Sequence, residues 1–261
     1  AGTEIPLGTE IKDENVLEDN DIVSPIGASD VIMLTQAENI NIDGSISEWS
    51  NYKSYPLERW VPTSGFEEAP PISYADIMYA YDDEYFYFAL KTEDEKHVLD
   101  DNGKYWNGDS LQFAIDNNHP NGYGQPFAMT FDDATGNVIV YDGTSLAPMD
   151  MSKIDGIEAA ASRNGTTDYY EFKISWDYLG ISKPDRFKFN LMINDNDGDG
   201  RKGWREIAPG ISSDRSKEPY PWLYINCSDI VCSLTATDYK KEDINGGGDT
   251  DVGINESNNY K

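Results

Sequence analysis

Short apolar runs, each closed within a few residues by Asp, Asn or Gly, constrain this chain more than any other feature. Residues 74–81 are rich in aromatic and apolar side chains and meet Asp82-Asp83-Glu84, a turn signal. Tyr85-Phe86-Tyr87-Phe88-Ala89-Leu90 follows, apolar on both faces, so the pair reads as a hairpin buried on two sides. Residues 110–116 alternate, with Leu111, Phe113 and Ile115 on one face. Residues 127–131 and 138–141 flank Asp132-Asp133-Ala134-Thr135-Gly136-Asn137, a second hairpin. Residues 169–176 and 187–193 alternate again, and 221–225 with 230–234 make a last pair. No window of about twelve residues carries a 3.6-residue apolar period, and residues 176–180 offer one helical turn. The pattern predicts an all-β fold, an antiparallel β-sandwich of jelly-roll type, as a single domain with flexible termini.

Charge marks the limits of that domain. The 261 residues hold 48 Asp+Glu against 20 Lys+Arg, a formal net charge of −28. Residues 1–30 contain eight acids, one base and no aromatic residue; residues 238–261 contain six acids, three bases and Gly246-Gly247-Gly248. Both ends read as linkers or disordered tails around a domain at 31–237. The domain itself holds 34 acids and 16 bases. Such a surface repels phosphate backbones and anionic lipid, which argues against nucleic acid and membranes as partners. A content of 38% hydrophobic and 12% aromatic residues argues against disorder. No apolar run approaches the roughly 20 residues that span a bilayer. The chain starts at Ala1 without a basic-then-apolar leader, as expected of a processed or trimmed form. Cys227 and Cys232 could close a small loop in an oxidising compartment, or remain two buried thiols.

Two features could carry chemistry. Asp195-Asn196-Asp197-Gly198-Asp199-Gly200, with Glu206 beyond it, has the spacing of an EF-hand calcium loop. Alternate oxygen ligands converge when a chain wraps a cation, Gly permits the bend, and a late carboxylate closes the shell. The preceding segment reads as a strand, so the loop would sit on a β-hairpin, with Asp195, Asp197, Asp199 and Glu206 as calcium ligands. The alternative is an acidic turn without metal. The second feature is aromatic residues in polar surroundings: Trp106 in Tyr105-Trp106-Asn107-Gly108-Asp109, Trp204 in a Gly203-Trp204-Arg205 loop, and Tyr220 and Trp222 at a strand entry. A flat exposed ring offers a stacking face to a sugar's C–H surface; the alternative is a ring that plugs the end of the sandwich. A carboxylate pair for glycoside hydrolysis cannot be selected by spacing among 48 acids.

Several segments resemble, in order, the family-nine carbohydrate-binding modules and their DOMON-like relatives. They are Ile42-Asp43-Gly44-Ser45-Ile46-Ser47-Glu48-Trp49, Tyr81-Asp82-Asp83-Glu84-Tyr85-Phe86-Tyr87, residues 106–116, residues 170–176 and residues 189–195. The resemblance implies a calcium-containing sandwich that binds sugars and does no chemistry, with two Trp rings clamping a terminal sugar. Trp106 matches the first ring, and Gln112 and Gln125 fall near polar sugar contacts. Two departures stand out: residues 212–216 hold no second Trp, and Ala128 stands where the family has a sugar-binding Arg. Trp204, Tyr220 or Trp222 could replace the ring, and the stretch 57–73 could reshape the site.

The resulting expectation is a calcium-stabilised, non-catalytic module of a secreted polysaccharide-degrading protein, at a secreted or cell-surface location. Its partner would be a plant-type β-glycan or xylan polysaccharide or oligosaccharide, and the chain would be monomeric and part of a larger multimodular protein. The alternatives are a calcium-stiffened structural or adhesion module without a sugar site, a haem-binding relative using His or Met ligands, and a glycosidase.

Overall fold

The computed structural model describes residues 32–63, 72, 74–100, 103–115, 124–207 and 211, and the backbone of 222–224. The strands, in chain order, begin with β1 (Ile32–Met33), β2 (Thr35–Gln36), β3 (Ser54–Pro56), β4 (Arg59–Pro62) and β5 (Tyr74–Tyr81). Next come β6 (Tyr85–Glu93), β7 (Ser110–Ile115), β8 (Gln125–Asp132), β9 (Asn137–Asp142) and β10 (Ala147–Pro148). The remainder are β11 (Ile157–Asn164), β12 (Thr167–Ser175), β13 (Arg186–Asn196), β14 (Arg201–Glu206) and β15 (Trp222–Tyr224). Only short 3-10 turns interrupt them among the described residues.

The strands form two sheets. The larger runs β1-β15-β13-β7-β8-β9-β10, with β14 and β4 added beside the second half of β13. The smaller runs β11-β12-β6-β5-β2, with β3 also on β5. Pairing is antiparallel except at two edges, where β1 lies parallel to β15 and β2 parallel to β5. The chain thus stitches both sheets together within residues 32–36.

Alternation explains the core. Phe86, Phe88 and Leu90 of β6 point inward with Leu111, Phe113 and Ile115 of β7, Phe172 of β12, and Phe189 and Leu191 of β13. The rings meet edge to face: Phe88 on Phe113 at 5.0 Å and Phe113 on Phe172 at 4.8 Å. The all-β sandwich read from the sequence is the fold. Residues 176–180 form a single turn, closed by Leu179 N–H on the Ser175 carbonyl at 3.2 Å. Gly203-Trp204-Arg205, expected in a loop, lies inside β14. Gly203 tolerates no side chain there, since a Cβ would stand 2.5 Å from the Val61 carbonyl oxygen of β4.

The outer face of the smaller sheet is covered by residues 37–52. Trp49 is buried with Met78, Ala80, Tyr87 and Ala89. Glu171 pins this cover: it accepts from Trp49 Nε1 at 2.8 Å and from the backbone N–H of Gly44 at 2.7 Å and Asp43 at 3.1 Å. Burial raises the Glu171 pKa, and those three donors oppose the rise. The motif Ile42-Asp43-Gly44-Ser45-Ile46-Ser47-Glu48-Trp49 is therefore a scaffold element.

Candidate functional site

Outward residues of the larger sheet line up in rows across its strands. One row runs Arg59, Glu206, Met192, Gln112, Ala128, Tyr141. The next contains Val61, Trp204, Asn194 and Ser110. On one flank Val61, Ala114, Met192, Trp204 and Ile211 form a small apolar cluster. On the other, Tyr105, Ala128 and Tyr141 do, with Trp106 packed against them.

Trp106 sits in the 3-10 turn Tyr105–Asn107 that leads into β7. Its ring stands edge-on to Tyr105 at 5.2 Å, and Tyr105 packs on Tyr141 at 4.8 Å. Burial pushes the Tyr105 phenol up to about 12, so it stays neutral. The turn is held tightly. Ser110 Oγ donates to the Tyr105 carbonyl at 2.6 Å, and Asn107 Nδ2 to Asp100 Oδ2 at 2.7 Å. Gly108 leaves no room for a Cβ, which would lie 2.6 Å from Asp100 N. Trp106 is half-buried on this support, so part of its indole remains available at the flank of the face.

Polar groups between the flanks lack partners. Gln112 is 6% exposed, and its carboxamide keeps contact with solvent and makes no hydrogen bond among the described residues. Asn194 Nδ2 donates to Ser110 Oγ at 3.0 Å, while its Oδ1 is buried with no partner. Arg201 Nε and Nη2 are buried and unpartnered as well. Native proteins leave few such groups unsatisfied, and their gathering on one face is what a polar ligand would complete.

The other proposed contacts fall elsewhere. Trp204 lies on this face but is 8% exposed; its Nε1 donates to Glu206 Oε2 at 2.8 Å, and the Arg201 guanidinium covers its ring at 4.1 Å. No sugar can stack where that cation lies. Gln125 has the parity of the core residue Phe127, away from Gln112, and hydrogen-bonds Tyr178. Trp222 is placed by its backbone only, opposite Lys188. Tyr220, Cys227, Cys232, the pair partner at 230–234, residues 212–216 and both acidic tails lie outside the described residues.

The acidic loop is arranged differently from an EF-hand. Asp195 and Asn196 still belong to β13, and β14 resumes at Arg201, so pairing leaves only residues 197–200 in the turn. Glu206 is carried along β14 to a position opposite Met192, where it is buried in an ion pair with Arg59. Asp199 is exposed and lies 3.6 Å from Lys202 Nζ. Asp195, Asp197, Asp199 and Glu206 therefore do not converge. Asp195 meets Asp94 and Asp109 instead, all three buried, with one oxygen of each within 4.8 Å of the others. Both Asp195 oxygens lack a hydrogen-bond partner. Burial, then Asp94 and Asp197, push Asp195 up to about 8; burial raises Asp94 to about 6 and Asp109 well above its ordinary value. An all-oxygen set of this span suits a hard divalent cation, whose ligands sit about 2.3–2.6 Å from it if it is calcium. Behind it, Arg163 donates to Asp168 Oδ1 and to the Asp94 carbonyl, each at 2.7 Å. His97 has one ring nitrogen on Asp168 and the other on the Phe131 carbonyl, so neither is free for haem iron.

A sandwich that keeps a buried amide oxygen without a partner on one sheet face, with a half-buried indole at its flank, has the features of a ligand-binding module. The model of the carbohydrate family 9 binding domain-like family matches residues 42–214, and the chain belongs to that family. It is accordingly a non-catalytic carbohydrate-binding module. Solved structures share the fold at low identity. A family 9 module from Caldicellulosiruptor kristjanssonii in complex with cellotriose is 13% identical, with a TM-score of 0.54 over 76% of this chain and 94% of that one. The same description applies to a complex with glucose, at 12% identity, TM-score 0.54, and 76% and 96% coverage. A putative carbohydrate-binding protein from Bacteroides uniformis ATCC 8492 is 11% identical, with a TM-score of 0.53 over 75% and 98%. No functionally curated protein matches the chain.

Proposed function

We propose that this module holds β-glycan or xylan sugars on the outer face of its larger sheet, as part of a secreted polysaccharide-degrading protein. The observation that carries the reading is the buried, unpartnered Asn194 Oδ1, with the unbonded Gln112 carboxamide on the neighbouring row, on the face that Trp106 flanks. The indole stacks on the C–H face of a sugar ring, and the amides take its hydroxyls, replacing hydrogen bonds otherwise left unmade. The cellotriose and glucose complexes of the Caldicellulosiruptor module support a β-glucan ligand. Calcium at Asp94, Asp109 and Asp195 would stabilise the end of the sandwich by neutralising three crowded carboxylates.

Trp106→Ala tests the site by affinity electrophoresis and calorimetry. Truncating a central aromatic contact costs about 2 kcal/mol of binding. A loss of that size with an unchanged melting temperature is expected, and undiminished affinity overturns the site.

A further inference from the structure

Arg201 on the same face is a partly exposed cation that makes no ion pair among the described residues. It opens β14 beside the register shift at Asp195 and Asn196. Its guanidinium lies over Trp204, and Nε and Nη2 are sealed from solvent without an acceptor. Burial alone lowers its pKa, to about 9, so it remains charged at neutral pH, and it makes no ion pair among the described residues. Other arginines are treated differently. Arg59 pairs with Glu206, Arg163 with Asp168, and Arg205 donates to the carbonyls of Ile72 and Leu57. Removing a cation from water without an anion costs more than a cation–π contact returns. The backbone N–H of Arg201 donates to Asn107 Oδ1 at 3.3 Å, which ties it to the turn bearing Trp106.

A neutral sugar does not require a desolvated cation; a carboxylate does. A chain of net charge −28 repels a polyanion along its whole length. Beyond about 8 Å that repulsion is largely screened at physiological salt, so a single carboxylate seated on a guanidinium is governed by the local contact. We propose that Arg201 makes this face selective for a glycan that is neutral along its backbone and carries an isolated uronic-acid carboxylate. The inference rests on the reading of this face as the glycan site.

Calorimetry on the full chain tests it with three probes: a neutral xylo-oligosaccharide, the same oligosaccharide bearing one glucuronic acid, and that compound with its carboxyl reduced to an alcohol. Cellotriose serves as a neutral control. The acidic probe is expected to bind about tenfold tighter than the other two, the size of one charge-assisted hydrogen bond. That preference should shrink as salt rises, and Arg201→Gln should abolish it. Equal wild-type affinity for the acidic and reduced probes overturns the proposal, as does a preference that survives in Arg201→Gln. If the variant does not fold, the wild-type comparison decides alone. Failure of every probe to bind, cellotriose included, overturns the glycan site itself and is distinguishable from loss of the preference.

Discussion

On the smaller sheet, the buried carboxylate of Glu171 takes three donors, and Trp49 is 1% exposed beneath residues 37–52. On the larger sheet, Asn194 Oδ1 and Arg201 Nε and Nη2 are buried without partners, the Gln112 carboxamide makes no hydrogen bond, and Trp106 stays half-buried. Both faces carry a tryptophan and buried polar atoms, so composition does not separate them. The state of those atoms does. A cluster whose polar groups are all satisfied, as around Trp49 and Glu171, stabilises the fold; one that leaves them open gives up stability for a ligand.

The contrast can be broken by mutation. The largest effect is expected for Glu171→Ala, which strands three donors at about 1–3 kcal/mol for each that stays buried. The urea midpoint should fall steeply while the protein that remains folded binds glycan normally; a variant with unchanged stability would remove the distinction between the faces.

Chelation comes next. A cation present at a hundredfold its Kd contributes about 2.7 kcal/mol. The melting temperature should therefore fall on EDTA treatment and recover with calcium. The sign for pH follows from carboxylates whose folded pKa values are raised, Asp94 to about 6 and Asp195 to about 8. In the chelated chain, their contribution is full below about pH 4 and is lost as pH rises through 6 to 8. Chelated protein should melt higher at pH 5 than at pH 8, and calcium should flatten that difference. Asp195→Asn should raise the melting temperature without calcium and remove the response to calcium, whereas equal responses in wild type and variant would dismiss Asp195 as a ligand.

The smallest effect sharpens the other side. Gln112→Ala removes no hydrogen bond of the fold, so stability should hold or rise slightly. Glycan affinity should drop by about 0.5–1.5 kcal/mol, read by calorimetry. A loss of stability without loss of affinity would place Gln112 among the structural residues.

Apolar runs closed by a turn signal make the strands from Tyr74 to Glu93 legible, and alternation makes Ser110 to Ile115 legible with its inward Phe113, because a period of two needs no tertiary information. The same parity puts Gln112 outward and Trp106 in its turn. The sequence does not show that β8 reaches back to Gln125, since that extension depends on pairing with Ile115 of β7. β14 was hidden because Gly203 and two flanking charged residues imitate a loop, and its burial comes from β4 and β13 on either side. The acidic cluster was half legible. Asp195 belonged to a recognisable spacing, but Asp94 and Asp109 come from chain segments up to a hundred residues away and carry no local signature. Arg201 carries no signal in the sequence, because a lone basic residue in an acidic loop has the pattern of a compensating charge, and only the structure shows that its guanidinium makes no ion pair.

The Tyr105–Asn107 turn ends two residues before Asp109. Asp109 accepts from the backbone N–H of Val98 and from that of Asn196 at 2.8 Å, and the carbonyl of Asn107 accepts from Asn196 Nδ2. Indole and carboxylate are thus joined by a tightly held segment of three peptide bonds through Asn107 and Gly108. Were a cation to fix Asp109, it would remove freedom that a sugar would otherwise have to remove from Trp106. Because coupling between two equilibria is reciprocal, an occupied sugar face would hold the ion more tightly by the same factor.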